Sequence, residues 1–220
     1  MKKTLIILTV AATFAACNNA QTSETKEQAE VAVDSSGVSY SVDNSASMLN
    51  WNVEKLVGGH QGTVVINGGS FNVKDGNVTS GNFTFDMSTI VNTDLEDADM
   101  NAKLVGHLKS PDFFNIEEYP TGKFEVTSSE VLSNDPNGNT HSISGNLTIK
   151  DSVKNITFPI KVSADADVFT AEGSATINRL NWGIVYNSVS ASPAELLKKI
   201  GDSAIKDEIN ITFNLKANKQ

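Results

Sequence analysis

Ser142-Ile143-Ser144-Gly145-Asn146-Leu147-Thr148-Ile149-Lys150, followed after a short break by Ile156-Thr157-Phe158-Pro159-Ile160-Lys161-Val162, decides the fold class. Ile143, Gly145, Leu147 and Ile149 share one face of the first stretch, and Ile156, Phe158, Ile160 and Val162 share one face of the second. Successive side chains of an extended chain point to opposite sides, so a period of two marks a strand with one buried face. The pattern recurs in both directions. Toward the N-terminus it covers Leu49 to Val53, Thr63 to Asn67, Ser70 to Lys74 and Val78 to Met87, the last with Phe83, Phe85 and Met87 on one face. Lys123 to Val131 places Phe124 and Val126 together, Phe169 to Ile177 alternates, and Ile209, Ile211, Phe213 and Leu215 finish the chain. Asp75-Gly76, between two such runs, supplies a tight hairpin turn. Many strands joined by short Gly- and Asn-containing turns predict an all-β antiparallel sandwich or barrel. The period fixes a buried face and leaves open whether the space behind it is filled by side chains or holds a ligand.

Two segments depart from this pattern. Met100, Leu104 and Leu108 recur at helical spacing, which predicts a helix over Met100 to Lys109 stopped by Ser110-Pro111. Ala194 to Ile200 reads as a second short helix, with Pro193 at its first position and Gly201 past its end.

The N-terminus carries a different signal. Met1-Lys2-Lys3 is positive, and Leu5 to Ala12 is an apolar run too short to cross a bilayer, which needs roughly 20 such residues. A positive start, a short apolar core and small residues at the exit make residues 1–16 a secretory signal. The exit, Phe14-Ala15-Ala16-Cys17, resembles the lipobox of bacterial lipoproteins, which implies cleavage ahead of Cys17 and acylation of its thiol. Two acyl chains hold a protein stably to a membrane where one does not. Asn18, standing where an Asp would favour the inner membrane, points to the periplasmic side of the outer membrane. Residues 17–37 are rich in Asn, Gln, Ser, Thr and Glu without an aromatic residue, and are expected to form a flexible tether. Residues 38–220 are then the folded domain.

Charge narrows the partners. The chain has 17 basic and 26 acidic residues, and removal of Lys2 and Lys3 leaves the mature part more acidic still. Such a domain is a poor match for nucleic acid, whose affinity comes from Lys and Arg on phosphates. The one cysteine is assigned to the anchor, so no disulfide is expected.

Four motifs in order give the chain a family likeness. They are Trp51-Asn52-Val53-Glu54-Lys55 with Gly58-Gly59-His60-Gln61-Gly62 and Gly69; His107-Leu108-Lys109-Ser110-Pro111-Asp112-Phe113-Phe114 with Tyr119-Pro120 and Phe124; Ile143 to Ile149 with Lys154 to Pro159; and Ile177-Asn178-Arg179-Leu180-Asn181-Trp182-Gly183-Ile184. Over roughly Ser41 to Leu215 the chain resembles the YceI-like family. The resemblance implies an exported, lipocalin-like, up-and-down β-barrel of about eight strands that binds long isoprenoid or related lipid chains. Related barrels pair, so it also makes a homodimer an expectation. Met100-Asn101-Ala102-Lys103 stands near where the family has an Arg-Asp pair, and Asn181 and Trp182 replace its Asp and Phe. The segment Ser188 to Lys206 is longer than the family norm.

A barrel of about eight strands can hold one chain-like ligand. The expected apolar lining is Phe71, Phe83, Phe85, Phe124, Leu147, Phe158 and Trp182, with plain core packing as the alternative role for each. At roughly 0.3 kcal/mol per heavy atom, a chain of about 40 carbons would gain about 12 kcal/mol without any polar contact. Trp51, His60, His107, Phe113, Phe114 and Arg179 are assigned to the mouth or to its support, His107 beside Asp112, and the two Phe either gating the mouth or pinning the helix to the sheet. No nucleophile elbow or phosphate loop is present, His60, His107 and His141 are isolated, and the acidic run Asp94, Glu96, Asp97, Asp99 lacks an EF-hand's Gly and final Glu. The sequence therefore reads as a lipid-binding envelope lipoprotein for storage or transport, without enzyme activity, cofactor or metal. The alternative is a structural or partner-binding barrel with a filled interior. Cys17→Ser is expected to give an unacylated precursor that leaves the membrane fraction in a high-salt wash; retention of that variant in washed membranes would place the anchor elsewhere.

Overall fold

The computed structural model describes residues 23–165 and 167–220. The expected signal and Cys17, the expected site of acylation, lie outside the described residues. Ten strands follow in order: β1 (Glu24–Glu27), β2 (Val38–Val42), β3 (Met48–Lys55), β4 (Gly59–Lys74), β5 (Asn77–Asn92), β6 (Thr121–Val131), β7 (His141–Ile149), β8 (Ser152–Asp165), β9 (Val168–Asn178) and β10 (Ile205–Lys219). Helix α1 (Ala98–Lys109) lies between β5 and β6, and α2 (Ala194–Ile200) lies between β9 and β10.

Strands β3 to β10 pair with their sequence neighbours, all antiparallel, and β10 returns to β3 through Ile211↔Trp51 and Phe213↔Leu49. The result is a closed eight-stranded barrel, the barrel alternative of the two the strand pattern allowed. Strand β2 continues the line of β3, pairing with β4 on one side and β10 on the other.

Local sequence explains the hairpins. Asp75 (φ 51°) and Gly76 (φ 83°) both adopt left-handed backbone between the paired Lys74 and Asn77, the two-residue loop that matches strand twist. The runs Thr63 to Asn67 and Ser70 to Lys74 join into the single strand β4. The pairing shifts register between Ile66 and Gly68, and Gly69 takes φ 151°, so the strand bends rather than breaks. Helix α1 starts two residues before Met100, because the Asp97 carboxylate accepts from the Met100 N–H and caps it. Pro193 occupies the N-cap of α2 rather than its first helical position.

Residues 23–37 correct the expectation of a flexible tether. They form a strap on the outside of the barrel. Strand β1 pairs with β8 over Thr157 to Lys154, and the Ser23 N–H reaches the Thr176 carbonyl of β9 at 2.8 Å. It therefore fills the seam where β8 and β9 part. Further along, the Ala29 N–H donates to Asn146 Oδ1 (3.0 Å) and Asn146 Nδ2 donates to the Ala29 carbonyl (2.7 Å), imitating a backbone ladder pair. The Ala32 N–H then bonds the Val126 carbonyl of β6 (3.0 Å), and Ser80 Oγ of β5 donates to the Asp34 carbonyl (2.7 Å). Strands β5 and β6 pair only over Asn82 to Asp86 with Thr121 to Glu125, so the strap also closes their open half. Strand addition works through main-chain groups and needs no apolar side chains, which is why a polar composition gave no sign of it.

Asn146 is fully buried under the strap and also accepts from Asn155 Nδ2 (3.1 Å). Asn146→Ala is expected to lower stability by about 1–2 kcal/mol in urea denaturation and to speed hydrogen exchange of the Ala29 amide. Unchanged exchange at Ala29 would mean the strap is held elsewhere.

Candidate functional site

The inner faces of the barrel strands converge on one internal cavity with a volume of about 160 Å³. Its lining is apolar, and no polar atom faces the cavity space. The strand period produces this directly, since inward positions carry Ile, Leu, Val, Phe, Met, Ala or Gly along strand after strand.

Six of the seven expected lining residues, Phe71, Phe83, Phe85, Phe124, Leu147 and Phe158, border the cavity. Trp182 does not. It lies in a 3-10 turn (Arg179–Trp182) past the end of β9, is 0% exposed, and its indole N–H donates to the Leu147 carbonyl at 3.0 Å. A residue on a turn beyond a strand has no inward face to occupy, so Trp182 seals the barrel end instead. Phe169, Ile211 and Phe213 also border the cavity. Their alternation was visible in the sequence, but alternation does not rank one inward residue above another. The rings form a chain around the interior: Tyr40 on Phe71 (centroids 5.6 Å apart), Phe71 on Phe83 (5.7 Å), Phe83 on Phe124 (6.4 Å), Phe124 on Phe158 (5.6 Å) and Phe158 on Phe213 (6.0 Å). These spacings fall in the favourable range for aromatic pairs, stacked for Tyr40 on Phe71 and tilted or edge-on for the rest.

The residues assigned to the mouth divide into three groups. Trp51 borders the cavity, and its buried indole N–H has no acceptor among the described residues. Phe114 borders the cavity as well, whereas Phe113 packs on Tyr186 (5.3 Å) and edge-on to His107 (4.9 Å). The two neighbours thus differ: Phe113 pins α1 to the segment after β9, and Phe114 turns inward. His107 Nε2 meets Asp112 Oδ2 at 3.0 Å, the buttress expected of it. His60 pairs through Nδ1 with Asp94 (2.9 Å) at the β3–β4 end, away from the cavity lining. Burial opposes ionisation of Asp94, but hydrogen bonds from the Gln61 N–H, His60 and Asn92 outweigh it and hold the carboxyl below its usual range.

Arg179 is 1% exposed and supports the same barrel end as Trp182. Its guanidinium donates to the carbonyls of Ile184 (2.8 Å), Ile205 (3.2 Å) and Lys206 (3.2 Å) and lies 3.5 Å from Asp207, which accepts from the hydroxyls of Ser188 and Ser190. Burial lowers the Arg179 pKa and Asp207 acts against that shift. The network ties the turn, the following segment and the start of β10 together. Helix α2, within the long segment Ser188 to Lys206, has no fully buried side chain and adds an outer flap to this end.

A profile of the YceI-like domain matches residues 40–217. The chain belongs to the YceI-like family. A UPF0312 protein of Pseudomonas aeruginosa (strain LESB58) is 34% identical over 135 residues, covering 54% of this chain and 68% of that protein. A UPF0312 protein of Yersinia pestis (strain Pestoides F) is 32% identical over 107 residues, covering 45% and 50% respectively. Among solved structures, Burkholderia cenocepacia BcnA aligns with a TM-score of 0.59 at 22% identity, over 80% of this chain and 99% of that one. A polyisoprenoid binding domain from Saccharophagus degradans aligns with a TM-score of 0.56 at 14% identity, over 87% and 100%. At these identities the two structures share the fold of this YceI-like chain.

Removing one partner of the buried pair leaves an uncompensated charge. Asp207→Ala is expected to cost about 3–5 kcal/mol in denaturant unfolding. A loss below about 1 kcal/mol would show that the three carbonyls suffice for Arg179.

Proposed function

We propose that this YceI-like barrel binds the apolar chain of a lipid, of the isoprenoid, isoprenoid quinone or similar class, for storage or transport in the cell envelope. One observation carries the reading: an internal cavity whose lining presents no polar atom. A water held there would lack the two to four polar partners that retain buried water, so the space favours a hydrocarbon occupant. The Saccharophagus degradans protein of the same fold is a polyisoprenoid binding domain, which supports the same class of ligand here. The Cys17 motif supports an address at a membrane surface, where a chain lipid is at hand.

The volume sharpens the ligand. An apolar cavity of about 150 Å³ takes a benzene molecule. A cavity of about 160 Å³ therefore receives a chain segment of about six carbons, not the 40-carbon chain the sequence suggested. At about 0.8 kcal/mol per buried methylene, six carbons supply about 5 kcal/mol, a submillimolar grip. Tighter binding of a longer chain requires side chains to turn aside, and Phe83 and Met87, which border the cavity and are only partly buried, are placed to do so.

Protein prepared from its native host and extracted with organic solvent is expected to yield a chain lipid by mass spectrometry. Added farnesol, polyprenol or isoprenoid quinone is expected to raise the unfolding free energy by about 2.7 kcal/mol at 100 times the dissociation constant. No extracted lipid and no stabilisation by any of the three would leave a filled structural barrel as the function.

A further inference from the structure

Three rings that border the cavity lie over glycines of a neighbouring strand. Phe85 of β5 is directly paired with Gly122 of β6, and Phe213 of β10 with Gly173 of β9. Phe124 of β6 reaches diagonally over Gly145 of β7, whose direct partner is Val126. All three glycines stand at inward positions, two residues from inward neighbours on their own strands: Phe124 for Gly122, Ile143 and Leu147 for Gly145, and Ala171 and Ala175 for Gly173. A methyl group built on Gly145 would stand 2.6 Å from both Cε1 and Cε2 of Phe124, with Cζ nearer still. At Gly173 it would stand 2.9 Å from Phe213 Cζ, and at Gly122 3.2 Å from Phe85 Cδ2. Real Cβ atoms do not approach so closely at the first two sites, so there the ring occupies the space a side chain would take.

Glycine weakens a strand interior and marks a close approach by another group. Here the approaching group is each time an aromatic ring that would otherwise project into the lumen. We propose that these glycines are the specificity-determining positions of the barrel: they let the rings lie flat on the wall, and so set the width of the lumen and the chain it admits. The magnitude is decisive. The whole cavity is about 160 Å³, the size that receives one benzene. A single phenyl ring swung inward fills it. Phe124 cannot retreat outward past β7 once Gly145 carries a methyl, and its flanks are held by Phe83 and Phe158. The lumen is the free direction.

The choice of ligand rests on the chain-binding function proposed above, whereas the placement of the rings does not, and the test separates them. Xenon binding reads the lumen without any lipid; farnesol titration reads chain binding. Gly145→Ala is expected to abolish xenon occupancy and to weaken farnesol at least tenfold. Gly145→Ala combined with Phe124→Leu is expected to restore both to within threefold of the wild type, which a general loss of strand stability would not allow. Gly145→Ala that keeps xenon and binds farnesol within twofold of the wild type overturns the proposal, as does a double variant that fails to recover, or a wild type that takes up no xenon. Wild-type protein that binds xenon but no chain strikes the lipid reading alone. Should Gly145→Ala not fold, Gly173→Ala with and without Phe213→Leu puts the same question at the β9–β10 wall.

Discussion

A sheet that closes on itself must pair every strand on both sides along its whole length, and in this barrel that requirement is met from outside the ring. Strands β8 and β9 pair only over residues 160–165 and 168–173, and β5 and β6 part beyond Asn82 and Glu125. At each parting the main chain would leave N–H and C=O groups without partners, which buried backbone does not tolerate. The strap meets part of this need: β1 pairs with β8 in one seam, and in the other the Ala32 N–H bonds the Val126 carbonyl while Ser80 Oγ donates to the Asp34 carbonyl.

The interior follows the same logic in reverse. An eight-stranded ring is just wide enough to be filled by its own side chains. Whether it is filled depends on which residues face inward and how they lie. Bulky rings at inward positions would fill it. Glycines on the neighbouring strands, Gly122, Gly145 and Gly173, leave room for three of those rings to lie along the wall. The lumen is thus lined by aromatic faces while keeping a void, and the void is apolar because no inward position near it contributes a polar atom.

How far the sequence disclosed this differs from element to element. The strands were legible because burial on one face leaves a period of two, and the β4–β5 turn was legible because Asp75-Gly76 favours left-handed backbone at both positions. Six lining residues were legible for the same reason as the strands. The strap was not, since pairing through the main chain leaves no trace in side-chain composition. Trp182 was misplaced because an aromatic residue after a strand looks like that strand's continuation, and only the 3-10 turn at Arg179 takes it out of the wall. The partner of Arg179 was hidden for another reason: Asp207 is one of 26 acidic residues and lies across the long β9–β10 connection, with nothing local to single it out. The volume of the lumen was beyond reach altogether, because it depends on ring orientation, which no periodicity encodes.

The two ends of the barrel then take on unequal roles. At the end formed by the β4–β5, β6–β7 and β8–β9 turns, Tyr40 stacks on Phe71 and Phe169 packs against both, edge-on to Phe71 with centroids 4.9 Å apart. At the other end Trp182 and the Arg179–Asp207 network close one side, while Phe114, Phe85 and Met87 border the cavity and remain only partly buried beneath α1. A hydrocarbon chain pushed toward the aromatic stack meets packed rings, whereas near α1 it meets side chains that are not fully packed. The α1 helix is joined to that end by the rings of Phe113, His107 and Tyr186, and by Asn101 and Lys109, whose side chains donate to the carbonyls of Asn92 (3.1 Å), Leu95 (3.1 Å) and Ser88 (2.7 Å).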